Sequence, residues 1–81
     1  MAKFKSDEIL DLKGVPCPRN SARALLKLGG MEEGEILEII VDDGEPLENV
    51  PASIEEEDNY KIIEKHKGEG HTWHLWVKVL R

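Results

Sequence analysis

Cysteine is all but absent from this chain: Cys17 is alone among 81 residues, so no internal disulfide can form and a reducing compartment is its natural home. Aromatic side chains are scarce at 5%, which leaves the core to aliphatic residues and gives little support to base stacking by Trp76. No apolar run approaches the roughly 20 residues needed to span a bilayer. The stretch Met1 to Asp7 lacks the long apolar segment of a signal peptide, so the expected location is cytoplasmic. An excess of positive charge is also missing. With a formal net charge of −6, the chain is a poor general binder of nucleic acid or anionic membrane, and stable direct contact with either is not expected.

Glycine-rich phosphate loops and metal-ligand clusters are absent too. Gly68-Glu69-Gly70 falls in a hairpin, not between a strand and a helix. His71 and His74 are three apart on one strand and point to opposite faces, so with His66 they do not supply the converging ligands a metal needs. No cofactor is implied.

What is present is the profile of one small folded domain over 1–81, with its ordered core from about residue 7. The composition is 40% hydrophobic and 35% charged. A chain this short buries about 60% of its unfolded surface, which leaves no room for a second domain.

Glu8 to Leu12 alternates as a strand with Leu10 and Leu12 inward, and Lys13-Gly14-Val15-Pro16 breaks it. Pro18 suits the first helical position, and Ala22, Leu25, Leu26 and Leu28 recur at helical spacing up to Gly29-Gly30, where a left-handed cap is expected. Glu35 to Val41 is a strand with apolar residues on both faces, which marks an interior strand. A second helix is anchored by Leu47, Val50 and Ile54. Pro51 is read near its beginning and Asn49 as its cap, and Glu55 to Asp58 at its unfavourable dipole end predict a short, frayed helix. Tyr60 to Lys65 and Thr72 to Leu80 form an antiparallel hairpin. Trp73, Leu75, Val77 and Val79 mark the core face of the last strand.

The order β-α-β-α-β-β predicts an α/β two-layer sandwich, a four-stranded mixed sheet with two helices on one face. The outer sheet face is expected to show Ile36, Ile40, Ile63, His74 and Trp76, an apolar set that suits weak homodimerisation.

The chemistry centres on Cys17. Pro18 disfavours helical geometry in the residue before it, which leaves the thiol at or near a helix N-cap. Free amides of the first turn and the helix field favour a thiolate there, and Arg19 is close enough to add to this. Arg19, Arg23 and Lys27 follow at i, i+4 and i+8, a positive ridge leading away from the thiol. A lone cysteine is often only a small buried hydrophobe. As a functional group, Cys17 has no second cysteine for a thioredoxin-like site and no adjacent histidine base, so it reads as a carrier or attachment point.

The motif Asp11-Leu12-Lys13-Gly14-Val15-Pro16-Cys17-Pro18-Arg19-Asn20, then Gly34-Glu35, Asp42-Asp43 and Asn49-Val50-Pro51, resembles the TusA/SirA family of small sulfur carriers. Their signature is Gly-x-x-Cys-Pro-x-Pro at a helix start, Gly-Glu opening the second strand, Asp-Asp at its end and an Asp-Ile-Pro-like start to helix two. The resemblance implies the two-layer fold. It also implies that Cys17, flanked by Pro18 and Arg19, carries sulfur as a persulfide, in a relay of sulfurtransferase type more than a stand-alone enzyme. The implied partners are a donor such as a cysteine desulfurase or rhodanese-like protein and a downstream acceptor enzyme, serving tRNA thiolation or other sulfur metabolism. Lys13, Gly14, Arg19, Arg23 and Lys27 are the expected docking residues. Asn20 replaces the family's second proline, and Ala52-Ser53 replaces the large aromatic that often follows Ile-Pro. The alternative is a regulatory or protein-interaction module of the same fold without sulfur transfer.

Overall fold

The computed structural model describes residues 5–80; Lys3, one of the basic residues of the first third, and Arg81 lie outside the described residues. The elements are β1 (Glu8–Asp11), α1 (Arg19–Gly29), β2 (Ile36–Asp42), α2 (Glu45–Glu55), β3 (Tyr60–Lys67) and β4 (Thr72–Val79). The sheet runs β1-β2-β4-β3, with β1 parallel to β2 and the other two pairs antiparallel. Both helices cover one face and pack against each other. This is the mixed four-stranded sandwich expected from the order of the elements.

β2 lies between β1 and β4, as its two apolar faces predict. Leu37, Ile39 and Val41 are fully buried on the helix side, opposite Val77, Leu75 and Trp73 of β4. Ala24 and Leu28 of α1, Val50 and Ile54 of α2, Leu12, Met31 and Val79 complete the core. Each fully buried aliphatic side chain stabilises the fold by roughly 1.5–3 kcal/mol before the entropy of ordering it is subtracted.

Both helices depart from the expected reading. On α1 the buried set is Asn20, Ser21, Ala24 and Leu28, while Ala22 is exposed and Leu26 is 80% exposed. Leu26 is seven residues after Arg19 and three after Arg23, so it shares their side of the helix. Hydrating two guanidinium groups outweighs the roughly 1.5–3 kcal/mol from burying one leucine. The stripe of Ala22, Leu25 and Leu26 therefore turns outward, with Leu25 half-buried at its border. The cap at Gly30 is right-handed (φ −92°), and its N–H closes a tight turn on the Lys27 carbonyl at 3.1 Å.

α2 begins five residues earlier than predicted and is a full 11 residues long. Gly44, at φ +92°, makes the turn out of β2 that only glycine adopts without strain, and Pro46 sits in the first turn. Pro51 lies inside the helix and is buried, while Asn49 is mid-helix, not a cap. The two acids of the first turn, Glu45 and Glu48, complement the helix dipole.

The outer sheet face also differs. Trp76 is only 4% exposed, although it points away from the helices. His66 meets its ring edge-on at 5.6 Å and His74 stacks at 6.0 Å. His66 and His74 are cross-strand partners on β3 and β4. His74 Nδ1 is hydrogen-bonded to Glu38 Oε2 at 2.6 Å. His66 Nε2 lies 3.4 Å from Glu64 Oε2 but lacks hydrogen-bond geometry. The largest apolar group expected on this face is thus enclosed by polar neighbours, and Ile36, Ile40 and Ile63 are half-buried. Among the described residues, no cluster of three or more His, Cys, Asp or Glu side chains could hold a metal ion.

Candidate functional site

The segment carrying Cys17 is fixed at both ends. Gly14 adopts φ +76°, and its N–H donates to Asp42 Oδ2 at the end of β2 at 2.8 Å. Asp11 Oδ1 accepts from the Lys13 N–H at 2.9 Å, an Asx turn that ends β1. The Val15 N–H then returns to the Leu12 carbonyl at 3.1 Å. Beyond Cys17, the Asn20 N–H donates to the Pro16 carbonyl at 3.1 Å. The thiol therefore stands on a short bridge between the C-terminal ends of the two parallel strands and the start of α1.

Cys17 is exposed, and it is the one free cysteine. The Cys17–Pro18 peptide bond is cis. Pro18 is the N-cap of α1, not its first helical residue, so Cys17 lies one step farther from the helix than predicted. The first turn is also less open than expected. The Asn20 amide is taken by Pro16, and the Ser21 amide donates to Asn20 Oδ1 at 2.6 Å. The donor that reaches the sulfur comes from the other helix: Asn49 Nδ2 donates to Cys17 Sγ at 3.4 Å.

Asn49 was missed in the sequence because it was assigned to a cap. No local pattern links it to Cys17, since the contact exists only once α2 packs beside α1. Asn20, the departure from the family motif, is fully buried, and its Nδ2 has no hydrogen-bond partner among the described residues.

The basic ridge is only partly free. Lys27 Nζ is paired with Glu8 Oε1 at 2.5 Å, and Lys13 Nζ lies 3.8 Å from Asp11 Oδ2. Arg19 and Arg23 are exposed and make no ion pair among the described residues. Arg23 borders an open groove between α1 and β1, together with Leu10, Leu26 and Gly30. Gly14 has a backbone task set by its conformation and its bond to Asp42. The three histidines are not brought to the thiol: His66 and His74 belong to the outer face, and His71 lies in the β3–β4 turn.

The family model described as "Sulfurtransferase TusA" matches residues 8–79, which takes in every element from β1 to β4. The chain belongs to the TusA family. A candidate sulfur carrier protein of Archaeoglobus fulgidus is 32% identical over 76 residues, covering 94% of this chain and 85% of its own. A second candidate sulfur carrier, from Thermotoga maritima, is 28% identical over 79 residues, covering 98% of this chain and 99% of the relative. The crystal structure of a SirA-like protein from Desulfitobacterium hafniense superposes with a TM-score of 0.76 at 20% identity, covering 91% of this chain and 99% of that one. A Helicobacter pylori protein solved in solution gives 0.73 at 16% identity, covering 90% and 97%. These two structural likenesses speak for the TusA fold alone. Membership in the family carries a general sulfur-carrier role. No helix among the described residues is long and apolar enough to cross a membrane.

Proposed function

We propose that this protein accepts sulfur as a persulfide on Cys17 and hands it to an acceptor enzyme. The observation that carries the reading is an exposed lone thiol at the family's cysteine position, in a chain that the TusA model matches from β1 to β4. A carrier thiol has to meet two partners in turn, so it must be exposed. Cys17 is exposed at the end of a braced loop. With no histidine base beside it, Cys17 depends on its partners for the remainder of the chemistry, which suits a sulfurtransferase-type relay more than a stand-alone enzyme.

The donor in this reading is a cysteine desulfurase or a rhodanese-like protein, and the relay operates in the cytoplasm. The acceptor serves tRNA thiolation or another sulfur-requiring pathway. Pro18 shapes the approach to the thiol, and Arg19 is the first residue of the helix that follows. Arg19 and Arg23, exposed on α1 and without an ion pair among the described residues, are the cations that would meet an acidic partner surface, flanked by Lys13 and Lys27. Gly14 holds the loop they surround.

The test is the intact mass of wild type and Cys17→Ser after incubation with a cysteine desulfurase and cysteine. Wild type gains one sulfur atom and the variant none. An interaction module without sulfur transfer would leave both masses unchanged.

A further inference from the structure

We infer that Asn49 is a catalytic residue of the sulfur relay, whose amide stabilises Cys17 Sγ as the leaving group when sulfur is passed on. The inference rests on the carrier reading and names the group that drives delivery. Three observations support it. Asn49 Nδ2 lies 3.4 Å from Sγ, within the range of a hydrogen bond to sulfur. Two amides of the first turn of α1, those of Asn20 and Ser21, are committed to the Pro16 carbonyl and to Asn20 Oδ1. Asn49 itself is half-buried on α2 beside Val50 and Pro51, which are buried, so its backbone is held in place.

The chemistry gives this contact a direction. In loading, the Cys17 thiolate attacks the outer sulfur of a donor persulfide. The donor S–S bond breaks, its electron pair leaves with the donor cysteine as a thiolate, and the outer sulfur with its proton becomes bound to Sγ. In delivery, a nucleophile of the acceptor, such as a thiolate, attacks that outer sulfur. The bond from the outer sulfur to Sγ breaks, the outer sulfur and its proton pass to the acceptor, and the electron pair remains on Sγ. Nothing is oxidised or reduced overall, since one persulfide is exchanged for another.

Negative charge therefore develops on Sγ during delivery and disappears from it during loading. A thiolate only accepts hydrogen bonds, so it fixes the carboxamide with its NH₂ toward sulfur and strengthens the bond as charge appears. An interaction stronger in the transition state than in the ground state accelerates the step. In loading, the same bond makes the thiolate more available but less nucleophilic, and the two effects partly offset. Asn49 thus acts mainly on release.

The test uses the full chain as wild type, Asn49→Ala and Asn49→Asp, with thermal unfolding of each as a control for folding. Alkylation of Cys17 by iodoacetamide against pH reads the contact with no sulfur bound. Its midpoint moves up in Asn49→Ala, and farther in the near-isosteric Asn49→Asp, where a carboxylate faces the forming thiolate. Each protein is then loaded by a cysteine desulfurase, and release is followed as thiocyanate formed by cyanide, which takes the outer sulfur and leaves Sγ as a thiolate. Release slows by on the order of threefold to tenfold in the variants, while loading changes by a smaller factor. Unchanged alkylation profiles and unchanged release, with normal wild-type loading, overturn the assignment to Asn49 alone. A wild type that cannot be loaded overturns the carrier reading and the delivery role with it.

Discussion

Asn49 donates to the sulfur of Cys17 at 3.4 Å, joining two residues 32 apart in sequence and tying the middle of α2 to the loop that opens α1. The contact gives the second helix a part in a site that the linear motif places entirely on the first.

Arg19 and Arg23 are the exposed ridge cations without an ion pair among the described residues, and Lys27 is held by Glu8. Charge reversal at both arginines is expected to slow loading from a desulfurase by about tenfold at low salt, with the difference shrinking as salt screens the encounter. Lys27→Ala is expected to have a much smaller effect. Loading rates measured over a range of ionic strengths check this; a salt-independent loss would point to a role other than docking.

Much of the fold was legible in the sequence. The alternation of Leu37, Ile39 and Val41, and that of Leu75, Val77 and Val79, reports the core face directly because a strand's period is fixed at two. The helices were less legible. Leu47, Val50 and Ile54 fit a helix starting at Glu45 as well as one starting at Val50, and a proline stands near each of those starts. Gly44 decided for Pro46 by turning the chain at positive φ directly after Asp43. On α1, counting apolar residues favoured Leu26, while the solvation of Arg19 and Arg23 fixed which side faced water. Pro18 and the motif put Cys17 at the approach to α1, but one residue closer to the helix than it stands, because Pro18 itself is the N-cap. Asn49 was not legible, because its contact depends on how two helices pack.

Asn20→Pro, which restores the family's proline, is expected to destabilise the protein by about 1–2 kcal/mol. It removes the Asn20 N–H bond to Pro16 and the acceptor of the Ser21 N–H, each worth about 0.5–1.5 kcal/mol. It also removes a buried amide nitrogen without a partner among the described residues and restricts the unfolded chain, which partly offset those losses. Pro46 already occupies the first turn of α2, so the geometry is one this fold accepts. Chemical denaturation measures the difference; a loss of several kcal/mol would contradict the reading.

Gly14→Ala meets no atom within 4 Å of the new Cβ, so its cost is conformational and not steric. At φ +76°, it is expected to destabilise the protein by about 1–2 kcal/mol. Asp42→Ala, which removes the acceptor of the Gly14 N–H, is expected to cost about 1 kcal/mol. Both changes loosen the loop beneath Cys17, so loading should fall in each by more than the folded fraction explains. Unfolding curves and loading rates on the same samples separate the two effects.

The most direct test of the carrier account is a chase. The protein is loaded with radiolabelled sulfur from cysteine by a desulfurase, freed of donor, cleaved and mapped, and a parallel sample is given an acceptor thiol. The account predicts label confined to the peptide containing Cys17, none in Cys17→Ser, and its quantitative movement to the acceptor. Label on another residue, or label on Cys17 that no acceptor removes, would contradict it.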